Sequence, residues 1–259
     1  MEEPILFDVD GNIATITLNN PDKRNALTKA AWGKLAYAVV GLNNRDDIRC
    51  IIVRGAGTKA FAAGADISEF PENRANSEQA IAYGNETAMA LQALLNCKHP
   101  TIAMIYGACT GGGLEIACCC DLRIAGQSAR FGVPINRIGH AFAPPEMKPV
   151  LDLIGPALVL ELLLEGRIFD ANEARERGML TRVVADDDLE AEVRTSADRI
   201  AAGAPLGARM TKKFVRRMLT GKPLTDEELA DSYTPCDSED YAEGIRAFLA
   251  KEKPEFNGR

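Results

Sequence analysis

Apolar and polar positions change period several times along this chain, and the changes mark its elements. Ile5-Leu6-Phe7 and Ile13-Ala14-Thr15-Ile16-Thr17-Leu18 are rich in β-branched residues and flank the turn-forming Asp10-Gly11-Asn12, so the chain is predicted to open as a hairpin. From Thr28 to about Asn43 the apolar spacing is helical. Ile48 to Val53 then reads as a short strand, followed by a glycine-containing loop and the segment Phe61 to Phe70. A second helix, about Ser77 to Leu95, precedes a strand from Thr101 to Ile105. After Thr110-Gly111-Gly112-Gly113 come a short apolar helix through Cys120 and a strand around Leu122 to Ala125. The recurring strand-turn-helix order predicts an α/β core.

Beyond Pro149 the pattern is helical, with segments at Val150 to Ile154, Ala157 to Leu164, Ala171 to Arg177, Leu189 to Ala202, Ala208 to Leu219 and Asp226 to Ala250. Such a helical C-terminal portion often serves assembly. There is no internal repeat of fixed length.

Composition narrows the classes. A chain of 259 residues, 46% of them hydrophobic, can bury a sizeable core as one large domain or a domain with an appendage. The first ten residues, MEEPILFDVD, lack a basic segment followed by an apolar one, and no apolar run approaches the roughly 20 residues that span a bilayer, so a cytoplasmic protein without a membrane partner is expected. Of seven cysteines, Cys118, Cys119 and Cys120 are consecutive in an apolar run, and Cys50, Cys97, Cys109 and Cys236 are scattered without C-x-x-C spacing. They read as reduced, mostly buried thiols, and no metal site is expected. A net charge of −7 argues against general nucleic-acid binding, which needs a basic surface to release counterions, although a local basic patch could still hold a small polyanion.

Two glycine-bearing turns carry the first chemical signal. In Phe61-Ala62-Ala63-Gly64-Ala65-Asp66-Ile67 small residues permit close backbone approach, and Asp66 can cap a following helix. In Gly111-Gly112-Gly113-Leu114-Glu115 glycines enter a helix whose first N–H groups have no intrahelical partner. Two such turns can form an oxyanion hole, or can simply be tight turns. Neither is a dinucleotide fingerprint: Gly55-Ala56-Gly57 follows a strand, but Ala60 stands where a third glycine is needed. Glu115 is sharper, being the only charged residue between Met104 and Asp121. Desolvation there would raise its carboxyl pKa and suit it to proton transfer near neutrality; the plainer alternative is a glutamate set against a helix dipole.

At these residues the chain resembles the crotonase (enoyl-CoA hydratase/isomerase) family. The resemblance runs through Asn19-Asn20-Pro21-Asp22-Lys23-Arg24-Asn25-Ala26-Leu27, Lys59 to Glu69, Gly111 to Glu115 and Cys120-Asp121-Leu122-Arg123-Ile124-Ala125. It continues in Gly178 to Val184 and Glu243 to Leu249, in the family's usual order and over nearly the whole chain. It implies an α/β fold: a crotonase-like spiral of repeated ββα units over residues 1–195, and a C-terminal helical region, 196–259, that packs homotrimers, often paired into hexamers. It implies an acyl-CoA thioester substrate whose oxygen is held by the N–H groups of Ala65 and Gly112, with Glu115 as acid or base. It also implies coenzyme A contacts at Lys23, Arg24, Ala63, Asp66, Ile67, Phe248 and Lys251, the last two often reaching a neighbouring subunit. Coenzyme A would be part of the substrate, with no separate cofactor. As single charges, Lys23, Arg24 and Lys251 also read as ordinary solvated surface.

The pattern breaks in one place. Hydratases of the family use a second glutamate in an F-G-x-P-E segment, and here the run is Phe131-Gly132-Val133-Pro134-Ile135. Ile135 cannot exchange a proton, and a positioned acid or base contributes about 100- to 10,000-fold. Gly139 to Met147 also departs from the family's glycine-rich stretch; Glu146 or His140 could enter the pocket from it, or lie at the surface. Glu69 is a weaker candidate, expected to turn outward, and His99 reads as structural. Enoyl-CoA hydration is the leading expectation. Isomerisation, decarboxylation or thioester hydrolysis, and an acyl-CoA-binding protein with little catalysis, remain as alternatives.

Overall fold

The computed structural model describes residues 3–259. Strands β1 (Ile5–Asp10) and β2 (Ile13–Leu18) pair antiparallel through a two-residue turn in which Gly11 takes φ 59°. Helix α1 (Lys29–Asn43) follows, its N-cap Thr28 accepting from the N–H of Ala31. The next elements are β3 (Cys50–Gly55), β4 (Ala60–Ala62), the short α2 (Phe70–Asn73), α3 (Ser77–Asn96), β5 (Thr101–Ile105), β6 (Ala108–Thr110), α4 (Gly112–Cys119), β7 (Leu122–Gly126), β8 (Arg130–Gly132) and α5 (Pro144–Glu165). The chain closes with β9 (Phe169–Asp170), α6 (Ala171–Glu176), β10 (Arg182–Val184), α7 (Leu189–Ala201), α8 (Pro205–Met218), α9 (Asp226–Asp231) and α10 (Glu239–Ala250).

Two sheets organise these elements, in strand orders β1-β2-β3-β5-β7-β10 and β4-β6-β8-β9. Each turn of chain places one strand in the larger sheet, the next in the smaller, and then a helix: β3-β4 before α3, β5-β6 before α4, β7-β8 before α5. Successive turns pair in parallel in both sheets. This is the expected spiral of ββα units. Parallel strands are covered on both faces, which is why β5, TIAMI, is an unbroken buried run.

Alternation along β3 separates two cores. Ile51 and Val53 pack with Trp32 and Leu35 of α1, Leu91 and Leu94 of α3, and Leu114 of α4. Cys50 and Ile52 face the other way, toward Ile13, Ile102, Met104 and Ile124 and the Leu189, Val193 and Ala197 stripe of α7. Helix α7 crosses position 196 unbroken, with this stripe on the sheet. Six cysteines are buried, Cys236 is exposed, and all seven are free thiols, as expected.

The C-terminal helices attach through a polar hub. Asp121 receives Lys212 Nζ at 2.7 Å and Arg216 Nη2 at 2.8 Å from α8, while its Oδ2 also accepts from the N–H of Thr101 at 2.8 Å. The continuous helix expected from Asp226 to Ala250 is instead broken. Pro235, which has no N–H to donate, enters a 3-10 turn at Thr234–Asp237, and extended Ser238 starts α10 by accepting from the N–H of Tyr241. The helices expected at 150–154 and 157–164 form one element beginning earlier, at Pro144, because proline suits a first helical turn; Gly155 (φ 74°, ψ 168°) kinks it. Strand β3 lies two residues later than its expected start. Among the described residues no helix is long and apolar enough to cross a membrane.

Candidate active site

The two glycine-bearing turns meet. Leu27 bridges to the strand-like end of the first turn by donating its N–H to Gly64 O and accepting from the N–H of Asp66, both at 2.8 Å. This pairing straddles Ala65 and leaves the Ala65 N–H directed away from it. Gly112 is the first residue of α4, so its N–H has no intrahelical acceptor. The turns are so close that a Cβ built on Gly112 would stand 3.7 Å from Ala65 N and 2.6 Å from Trp32 Cζ2. Gly64, at φ 105°, occupies backbone space open to glycine and few other residues.

Glu115 lies one turn into α4 and is 4% exposed, and among the described residues its Oε2 has no hydrogen-bond partner. Glu146, the third residue of α5, is 6% exposed and faces the same cavity. A Cβ on Gly84 of α3 would come within 3.9 Å of Glu146 Oε1. The cavity holds about 130 Å³, with Ala65, Gly112, Ile67, Phe70, Ile135 and Phe142 among its walls. Burial pushes the Glu115 carboxyl well above its ordinary range and the Glu146 charge adds to this, while the Arg74 guanidinium opposes both. Burial likewise raises Glu146 against the pull of Arg74. Two carboxyl groups sharing a desolvated space do not both ionise readily.

His140 lines the cavity as well, its Nε2 2.6 Å from Arg74 Nη2. An arginine can only donate, so Nε2 accepts and the ring is neutral; burial, then the Arg74 charge, lowers its pKa. Thus both sequence candidates from the 139–147 stretch reach the cavity, while Ile135 contributes an apolar wall. Arg74 was not legible in advance: it follows Phe70-Pro71-Glu72-Asn73 in a polar stretch, without the isolation that marked Glu115. Glu69 faces elsewhere, accepting from the N–H of Lys29 at 2.8 Å. His99 is fully buried against Leu42 O, and burial and nearby cations lower its pKa to about 4, in keeping with a structural role.

A second groove, about 990 Å³, adjoins the cavity: Ala63 and Thr110 line both. Arg24, Lys59 and Arg130 bring positive charge to it, and Asp186, Asp187 and Glu190 negative charge. Arg24 and Asn25 are held at φ 53° and 57°, conformations uncommon for residues with side chains, and Asn25 is fixed by donating to Ala60 O at 2.8 Å. The Ala63 N–H donates to Arg24 O at 2.9 Å, and Ala63 O accepts from Thr110 Oγ1 at 3.0 Å, so of its polar groups only the second carbonyl lone pair is uncommitted. Lys23 Nζ lies 2.7 Å from Asp66 Oδ2. Burial raises the Asp66 carboxyl, but hydrogen bonds from Lys23 and Ser68 outweigh it and hold the pKa below its ordinary value. Phe248 and Lys251, on α10 and its C-cap, are exposed and line neither cavity of this chain.

A family model described as enoyl-CoA hydratase/isomerase matches residues 8–259. The chain belongs to this family. The crotonyl-CoA hydratase of Syntrophomonas wolfei is similar at 32% identity, over 98% of each chain. Among solved structures, an enoyl-CoA hydratase/carnithine racemase from Magnetospirillum magneticum is 49% identical with a TM-score of 0.98, the match covering 100% of this chain and 97% of that one. The enoyl-CoA hydratase of Mycobacterium smegmatis is 28% identical with a TM-score of 0.90, over 98% of this chain and 99% of that one. The crotonase fold expected from the sequence is therefore the fold of this chain.

Proposed function

We infer that the chain hydrates a short enoyl-CoA thioester, using Glu115 and Glu146 as its proton-transferring pair. The observation that carries this reading is the entry of two buried carboxyl groups into one cavity beside the Ala65 and Gly112 N–H groups. Desolvating carboxyls is costly, so their retention in an otherwise largely apolar space favours catalysis over passive binding. The 130 Å³ cavity suits the reacting end of a short acyl group, and the adjoining groove suits the rest of coenzyme A, with Arg24, Lys59 and Arg130 toward its phosphates. Ile67 lines the inner cavity, and Lys23, paired with the neighbouring Asp66, would add to the coenzyme A contacts. Coenzyme A enters and leaves as part of the substrate.

In this mechanism the thioester oxygen accepts from Ala65 and Gly112. Glu146, whose ionised form Arg74 favours against the effect of burial, takes a proton from water as the water oxygen adds to Cβ. The Cα=Cβ electrons move onto the thioester oxygen, giving an enolate held by the two N–H donors. Each such donor is worth about 100- to 1000-fold. Glu115, held protonated by burial, then delivers its proton to Cα, and transfer between the pair restores the starting state.

For assembly, the wide exposure of Phe248 (82%) and Leu249 (76%) on α10 supports a homotrimer, or a dimer of trimers, built by the helices after residue 196. There Phe248 and Lys251 would meet the nucleotide of a neighbouring subunit.

Incubation with crotonyl-CoA and a longer enoyl-CoA tests the reading. Loss of the conjugated thioester absorbance with a product heavier by one water supports it. Binding of CoA esters without hydration would redirect it to isomerase, decarboxylase or hydrolase chemistry.

A further inference from the structure

Among the described residues Arg74 is the one cation lining the inner cavity, and its role is not used up by the carboxyl pair. Its guanidinium carbon lies 4.6 Å from the Phe70 ring centroid and 4.9 Å from that of Tyr83, and the two rings stand edge to face at 6.0 Å. One edge of the fork donates to His140 Nε2 at 2.6 Å. Yet among the described residues no carboxylate oxygen comes within ion-pair distance of it, although Glu115 and Glu146 line the same space. Two aromatic faces and a neutral imidazole thus hold a planar, five-donor cation in place while leaving most of its donors unspent. The walls around it, Ile67, Phe70, Ile138 and Phe142, are apolar. A purely aliphatic acyl chain packed there would cover the unspent donors without pairing them, an unfavourable arrangement.

Granting that acyl-CoA thioesters occupy this cavity, we propose that Arg74 makes the enzyme selective for acyl groups bearing a terminal carboxylate, gripped by the free edge of the guanidinium. The substrate class is then the CoA monothioester of a short unsaturated dicarboxylic acid. Charge-assisted hydrogen bonds contribute about 1.5–3 kcal/mol, which corresponds to a preference of roughly 10- to 100-fold.

Binding of saturated analogues tests this without turnover: glutaryl-CoA, which carries the carboxylate, against pentanoyl-CoA, which ends in a methyl group, titrated calorimetrically into the whole protein. Wild type should bind glutaryl-CoA at least about 10-fold more tightly. The ratio of the two affinities should fall toward one in Arg74→Met and recover in part in Arg74→Lys, which restores charge without the fork. Equal affinities in wild type, or a preference that survives Arg74→Met, would overturn the proposal while leaving the acyl-CoA reading intact. Failure of both esters to bind wild type would overturn the proposal and the acyl-CoA reading together.

Discussion

The cavity has two walls built on different principles. On one side, the turn after β4 and the start of α4 present backbone: the Ala65 and Gly112 N–H groups are fixed by a bridge, a helix end and glycines that leave no room for a Cβ. On the other, the 133–147 stretch and α2 present side chains, Ile135, His140, Glu146 and Arg74. Backbone geometry tolerates little change, whereas a carboxyl group can be delivered to one point from more than one element. Here a second buried carboxyl group reaches the cavity from the first turn of α5, while the residue after Pro134 is apolar.

The largest effect should come from breaking the side-chain arrangement at its buried anchor. Glu115→Gln keeps the shape but removes the proton, and should lower kcat for enoyl-CoA hydration by about 100- to 10,000-fold with little change in KM. Steady-state kinetics check this, and full turnover in the variant would remove Glu115 from the mechanism.

Damage to the backbone wall should read differently. Gly112→Ala puts a Cβ 2.6 Å from Trp32, so it should destabilise the fold by about 1–3 kcal/mol through overpacking and also lower kcat, as the N–H shifts from its place. Thermal unfolding and turnover should therefore fall together, whereas Glu115→Gln should lose turnover without a loss of stability.

The raised carboxyls give a pH signature. Because burial lifts the Glu115 and Glu146 pKa values from 4.5, the folded state binds more protons than the unfolded one above that pH. Stability contributed by the protonated forms is full below the ordinary carboxyl range and is lost as pH rises through the folded-state values, by at most about 1.4 kcal/mol per pH unit for each group. The Tm of Glu115→Gln relative to wild type should therefore rise as pH rises from 4.5. Parallel Tm curves would show that Glu115 ionises as freely folded as unfolded.

The smallest expected change in activity is at the position where the family pattern fails. With Glu146 already in place, Ile135→Glu adds a third carboxyl to a cavity of about 130 Å³ and should give no gain in hydration. A large gain would mean that Glu146 does not fill the missing role.

Much of the fold was legible because its signals are local: the helical spacing that starts at Thr28, the apolar run of β5, the glycines before α4. So was Glu115, whose apolar neighbours announced burial. The short strands of the smaller sheet were not, since three residues such as Ala60–Ala62 carry no period of their own and exist through pairing with distant chain. Arg74 and Glu146 were hidden or ambiguous for a related reason. A charged residue in a polar stretch looks solvated until the fold turns it inward, and Glu146 is buried only because α5 packs against α3 and α4.

The central claim is that Glu146 supplies the missing second carboxylate, and the most direct test is the hydration rate of crotonyl-CoA by Glu146→Gln, followed by loss of conjugated thioester absorbance. A fall of about 100-fold or more in kcat, with the fold intact by thermal unfolding, is the predicted result. Turnover at the wild-type rate would contradict it.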